Sequence, residues 1–445
     1  MKRDMKYFLS QTYDKCRRKI GYLTSSLQNR GNIVHRRVVV TGLSAITSVG
    51  IGKDLFWEAL RAGRSGIRKV TRFDLSDFPS QIAGEVLDFD PTKYINAKEI
   101  HHMGRFSQFG VAAAHMVIND AKLKIDSRNA DRIGVAIGTS LGGLSYAEKE
   151  HEVYLARGYK RVNPFTVAAS IASNCPSQIS IALNINGPSV IISTACASAT
   201  DAIGYARDCI KKGEVDVMIA GGAEALLTPF TFGAFGVTGV LSKRNDAPEK
   251  ACRPFDKMRD GQVLAEGAGL LVLEELTHAL KRKADIYAEL IGYARTSDCI
   301  HPIIQEGSGK QAARAMRLAL EDAAIKPNEV DYINAHGSST IPNDRIETNV
   351  IKEVFGSYAY SIPVSSTKSM IGHLQGGCGG PEAVATVLAV KHDIIPPTIN
   401  YEFSDPECDL DYVPNVARKK QVNIALKNSF GFGGKNTVII FKKYV

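Results

Sequence analysis

The stretch SVIISTACASATDAIGYA, Ser189–Ala206, decides how the whole chain is read. Val190, Ile191, Ile192 and Thr194 favour extended backbone, small residues follow abruptly, and a helical pattern takes over. Strand, sharp turn and helix put Cys196 at the turn. A thiol there faces the unpaired N–H groups and the positive dipole end of a helix, which favour thiolate over thiol. The competing reading is a small core residue packed on a sheet, the commoner fate of a free cysteine. Two histidine motifs downstream favour Cys196 as a nucleophile.

Outward from this stretch, strands and helices alternate. RRVVVTG reads as a strand closed by a glycine turn, KDLFWEALRAG as an amphipathic helix, and Arg105 to Lys122 as a long helix. RIGVAIGTS is a strand ending in the turn SLGGL, VDVMIAGGAEALL a buried strand with a glycine turn, and GAGLLVLEELTHALKRK a strand running into a helix. After residue 285 the grammar repeats. GKQAARAMRLALEDAAI resembles the helix ending INDAKLKI, EVDYINAHGSS echoes DRIGVAIGTS, and IPVSSTKSMIGH with EAVATVLAV echoes the Cys196 strand–turn–helix. Two α/β halves, 36–285 and 286–445, would bring their equivalent turns together.

Composition narrows the function classes. Among 445 residues no run of about 18 apolar residues exists, which excludes a spanning helix. The eight cysteines show no CxxC pair and no Cys/His cluster, so neither a zinc site nor a disulfide framework is expected. Of the net charge of +9, residues 1–35 hold eight basic against two acidic residues, so the body is nearly balanced and is no nucleic-acid surface. The basic stretch resembles a mitochondrial or plastid targeting segment. Ordered structure is expected from Arg36.

His336, in YINAHGSST, and His373, in SSTKSMIGHLQGG, follow strand-like segments and precede small-residue turns. Either alone would pass for a structural histidine. As a pair near a cysteine they suit donation of two N–H groups to a carbonyl oxygen that becomes an enolate when a β-carboxylate is lost. Lys368, five residues before His373, fits a group that orients or tunes a histidine better than a solvated charge. NSFGFGGKN, Asn428–Asn436, is a glycine-rich turn whose N–H groups could complete an oxyanion hole with that of Cys196, although an isolated FGFGG is also an ordinary hairpin.

Taken in order, STACAS, NAHGSST, SSTKSMIGH and NSFGFGG resemble the elongating β-ketoacyl-[acyl-carrier-protein] synthases of type II fatty acid synthesis, over about residues 36–445. RRVVVTG, GTSLGG, AGGAEA and EGAG match the same family. The resemblance implies a thiolase fold, a five-layered αβαβα assembly of two pseudo-duplicated halves, and a homodimer. It implies substrates delivered on the phosphopantetheine arm of an acyl carrier protein, with no resident cofactor or metal. By motif, Cys196 takes the acyl chain, and His336 and His373 assist malonyl decarboxylation. Lys368 and Glu382 support them, and the N–H groups of Cys196 and Phe432 form the oxyanion hole. Phe430 and Phe432 would gate an acyl pocket lined by Leu141, Ser338 and Thr340 would meet the pantetheine arm, and Lys160 and Arg161 would dock the carrier. The mitochondrial form is expected, with plastid or cytoplasm as alternatives.

The chain departs from the family pattern at Asp298–Gly307 (DCIHPIIQEG) and Gly239, which bears on carrier choice, chain length and rate. Other classes fit less well. A discrete polyketide ketosynthase shares Cys-His-His. A thiolase would use a second cysteine, for which Cys378 is the candidate. A cysteine hydrolase would leave the second histidine idle, and an inactive assembly partner would lack the nucleophile.

Overall fold

The computed structural model describes residues 36–445; the targeting segment read in 1–35 lies outside the described residues. Apolar runs with few interruptions build the ten principal strands of the central sheet, most of them buried on both faces and the edge strand Ser189–Ile192 exposed to half-buried. The first five are β1 (Val38–Thr47), β2 (Ile133–Gly138), β3 (Ser189–Ile192), β4 (Val217–Glu224) and β5 (Gly267–Glu275). The second five are β6 (Ala288–Ser297), β7 (Tyr332–Asn334), β8 (Val364–Ser365), β9 (Ile424–Gly431) and β10 (Lys435–Lys443).

Their order across the sheet is β8-β7-β9-β10-β6-β1-β5-β4-β2-β3. Outward from the centre, each set of five runs first, fifth, fourth, second, third. The three outer strands of each set are mutually parallel and the inner ones antiparallel. The echo heard in the sequence is therefore a true topological repeat. The sets touch only through Val39 opposite Glu289 and Val40 opposite Ala288, so they behave as two sheets.

Side-chain alternation then makes the layers. Met218, Ala220, Leu271, Leu273, Ile439 and Phe441 point into one central core, shared with helices α3 (Ser198–Lys211) and α6 (Gly379–His392). Their neighbours Val217, Ile219, Leu270 and Val272 point the other way, onto α1 (Arg105–Asp120) and α2 (Asn174–Leu183). Val438 and Ile440 meet α4 (Lys310–Asp322) and α5 (Ile341–Phe355). The result is helix, sheet, helix, sheet, helix, with Arg37–Val445 forming one compact unit because both sheets share the middle helices.

Two sequence expectations are corrected. β1 does not turn at Gly42 but runs through it with a register shift. The Gly221–Gly222 pair sits inside β4 rather than in a turn. A Cβ at Gly222 would lie 2.5 Å from the Ala199 Cβ on α3 and 2.9 Å from the Gly377 Cα in the turn leading into α6, so the glycine serves the close approach of that helix and that turn. Among the described residues no helix is long and apolar enough to cross a membrane.

Candidate active site

The loops that follow β3, β7, β8 and β9 converge, as expected at the carboxyl ends of parallel strands. They enclose a cavity of about 300 Å³ lined by Cys196, His336, His373, Ser338, Thr340, Phe430 and Phe432, with Ile303 and Ile304 at its rim. Ala195 holds a left-handed φ of 51° just before the cysteine, a strained turn that lifts Cys196 to the head of α3. The β9–β10 hairpin lies against this turn. A Cβ on Gly431 would stand 2.9 Å from the Cys196 amide nitrogen, so only glycine lets the hairpin close. The next residue, Phe432, then donates its backbone N–H to the Cys196 thiol.

The helix terminus does not make Cys196 a resting thiolate, contrary to the sequence expectation. Burial pushes its thiol up to about 11, against the pull of the Lys368 ammonium and the Phe432 N–H. The hairpin that supplies the N–H also removes the water that would solvate a thiolate. Alkylation of Cys196 by iodoacetamide, followed on its own peptide, should therefore accelerate about tenfold per pH unit from pH 7 to 9. A rate already flat across that range would show a depressed pKa instead.

His336 and His373 face each other with ring centroids 5.3 Å apart and planes 78° from parallel. Both are buried and lie well below the usual imidazole range, through burial first and then the nearby Lys368. Their tautomers follow from their partners. His373 Nδ1 accepts the Gln375 N–H at 3.1 Å, and His336 Nδ1 stands 3.3 Å from the Lys368 ammonium, a donor. Each ring therefore carries its proton on Nε2. Two neutral N–H donors serve one cavity.

Behind them runs a buried ionic chain. Lys368 Nζ donates to the His336 carbonyl at 2.7 Å and pairs with Glu382 on α6. Burial is the largest single influence and would lower the Lys368 pKa, but the charge and hydrogen bond of Glu382, with Cys378 and Glu347 beyond, together outweigh it and the net shift is upward. Glu347 on α5 accepts the N–H groups of His336 and Gly337, at 2.8 Å each, which fixes the histidine's loop. Glu224 at the end of β4 accepts from Thr139, Ser140 and the Gly376 N–H, and so anchors the turn after β2 beside Gln375. Gln375 in turn accepts from the Cys196 thiol at 3.5 Å.

Glu347, Glu224, Gln375 and the fully buried Lys427 were missed by sequence reasoning. The available signal was a charge inside a segment otherwise read as buried, as at Lys427 in IALKNSFG.

Of the residues singled out in the sequence, Cys196, His336, His373, Phe430, Phe432, Ser338 and Thr340 come together around the cavity, and Lys368 and Glu382 stand behind it. The Ser338 and Thr340 hydroxyls share a 2.8 Å hydrogen bond. Leu141 does not join them. It is 44% exposed and outside the cavity lining, on a turn that packs by Gly142 against Ala172. Lys160 and Arg161 are exposed on the short turn Tyr159–Arg161, outside the cavity lining. Cys378 also stays out of the cavity lining, its thiol directed 3.3 Å from the Cys196 carbonyl, which removes the thiolase-like role considered for it. Among the described residues no cluster of three or more His, Cys, Asp or Glu is placed to hold a metal.

Residues 35–279 match the β-ketoacyl synthase N-terminal domain and residues 287–402 the C-terminal domain. The 3-oxoacyl-[acyl-carrier-protein] synthase 2 of Synechocystis sp. is 50% identical over 413 residues, covering 93% of this chain and 99% of that protein. The protein of the same name from Coxiella burnetii is 45% identical over 408 residues, 92% of this chain and 99% of its own. Among solved structures, a β-ketoacyl synthase from Burkholderia phymatum is 36% identical with a TM-score of 0.85, covering 92% of this chain and all of that one. A type II PKS ketosynthase in complex with its acyl-carrier protein is similar at 36% identity and the same TM-score, over the same shares of the two chains. Two matched domains, near full-length identity and a shared thiolase fold place this chain in the β-ketoacyl synthase family.

Proposed function

We propose that this protein is an elongating 3-oxoacyl-[acyl-carrier-protein] synthase. The observation that carries the reading is one cavity with a thiol at a helix head and two histidines whose Nε2–H groups are both free to donate. In the first half-reaction the Cys196 sulfur attacks the thioester carbonyl of an acyl-carrier. The C–S bond to the carrier's pantetheine breaks, and the thiol proton leaves with the carrier. The Cys196 and Phe432 N–H groups hold the oxyanion. Malonyl-carrier then occupies the arm's place along Ser338 and Thr340. Its C–CO2 bond breaks, the electron pair moves to the thioester oxygen, and His336 and His373 hold that enolate. The enolate carbon attacks the acyl-Cys196 carbonyl, the sulfur leaves as a thiolate and takes a proton from solvent to restore the resting thiol, and a 3-oxoacyl-carrier two carbons longer departs. No resident cofactor enters this scheme.

Removing one donor from such an oxyanion site typically costs 10²–10³ in rate. His373→Ala should therefore lower kcat for condensation by about 10²–10³ while Cys196 still takes up the acyl group. Undiminished condensation would remove the two-histidine mechanism. The test of the function itself is mass spectrometry with a medium-chain acyl-carrier, then malonyl-carrier. An adduct on Cys196 that disappears with formation of the longer product supports the reading, and no adduct with any acyl donor overturns it.

The remaining parts of the reading concern assembly and place. A homodimer is supported by the open edge of β3, whose side chains are exposed or half-buried, and by the exposed Val167, Ile171 and Ile181 near it. Leu141 belongs to that apolar face, so its contribution to an acyl pocket would come only through a partner. The exposed cations Lys160 and Arg161 suit an acidic carrier. The basic composition of residues 1–35 supports mitochondrial import, with plastid or cytoplasm as alternatives.

A further inference from the structure

Lys427 is a charged side chain at the heart of the site to which neither the contacts nor the steps described above give a task. Side chains of β9 alternate, and Ala425 faces the central core, so Lys427 projects the same way into the middle layer. It is fully buried. Its ammonium lies 2.9 Å from Glu382 Oε2, donates to Thr200 Oγ1 at 2.7 Å and bonds to the Ser429 hydroxyl. Thr200 is one turn beyond Cys196 on α3, and its hydroxyl also meets that of Ser429 at 2.8 Å. One ammonium thus joins three elements: the helix of the nucleophile, the helix of Glu382, and the strand leading to Phe432. Lys368 holds the other oxygen of Glu382, so two buried lysines share one carboxylate.

Keeping a second ammonium out of water is expensive. A well-packed apolar residue would hold β9 in place at less cost, which argues that the charge itself is used. We propose that Lys427 is a positioning residue for the condensation: it sets Phe432 against Cys196 and, with Lys368, supplies the positive field that keeps both histidines as neutral donors. The inference rests on the synthase reading given above. The groups facing His336 and His373 are Lys368, Lys427, Glu382, Glu347 and the Cys196 thiol, besides each other. Of these, Lys368 and Lys427 both act against protonation of either ring.

Two variants separate the two tasks. Lys427→Met removes the charge and keeps the length. Its kcat for condensation should fall at least tenfold with the KM for malonyl-carrier within about twofold, since the lysine touches no substrate. The acid limb of its malonyl-carrier decarboxylation profile should move up by about one pH unit, because imidazolium forms more readily without the second cation. Thr200→Val keeps every charge but cuts the tie to the Cys196 helix. Acylation of Cys196 should slow about tenfold while the acid limb stays where it is. A Lys427→Met enzyme with near wild-type kcat, or with a lowered kcat and an unmoved acid limb, overturns the proposal. So does a Thr200→Val enzyme acylated at the wild-type rate, a result that decides the matter even if Lys427→Met does not fold. Failure of the wild-type enzyme to form the Cys196 adduct would instead overturn the synthase reading.

Discussion

Cys196→Ala should take up no acyl group and form no 3-oxoacyl product, a loss of at least about 10⁴-fold in condensation. The reason is geometric as much as chemical. Within the described residues six other cysteines are free, yet five of them are buried away from the cavity lining and Cys299 is exposed outside it. None can stand in for the sulfur that Phe432 N–H and the two histidines face. Intact-mass analysis after incubation with acyl-carrier measures this directly. An adduct persisting in the variant would move the nucleophile elsewhere. Cys196→Gln should behave differently. Its carboxamide places a carbonyl oxygen about where the acyl thioester oxygen would lie, within reach of the same N–H groups. Malonyl-carrier should then lose CO2 without condensing, and a silent Cys196→Gln enzyme would show that decarboxylation needs the acyl group itself.

Glu382→Ala should cost about 3–5 kcal/mol of stability, the range expected when one partner of a buried ion pair is removed and the other is left uncompensated. Here two partners are left, since Lys368 and Lys427 are both fully buried. The pH dependence distinguishes this cause from simple loss of packing. In the wild type the folded-state pKa of Lys368 lies above its ordinary 10.5, so its contribution is fully present below that pH and lost only above it. In the variant Lys368 keeps its burial but loses the carboxylate that offset it, so its ammonium prefers to lose a proton on folding. The unfolded state then binds more protons than the folded one, and stability rises with pH. Urea unfolding at pH 7 and pH 9 should show the deficit shrinking at the higher pH. An unchanged deficit would mean that cavity formation, not charge, sets the cost.

The strand–turn–helix at Cys196, the twin histidine turns and the repeat of helix and strand order could all be read from local pattern. Each depends on residues close in the chain, where periodicity and small-residue turns carry the signal. The Gly221–Gly222 pair misled because glycine marks both turns and close approaches, and only the elements packed on it tell which applies here. Leu141 lies outside the cavity lining of the single chain, and adjacency to a conspicuous motif does not say what a side chain reaches.

The amino-acid sequence by itself determined the α/β class, the duplication, and the identities of Cys196, His336, His373 and Lys368. The tertiary structure alone decided the protonation states and the ionic chain. Burial, which no local pattern reports, raises the Cys196 thiol and keeps both imidazoles neutral. Lys427, Glu347, Glu382 and Lys368 come from four separate elements, and their charges acquire a meaning only where those elements meet, because Coulomb interactions depend on distance and on exclusion of water, not on sequence separation.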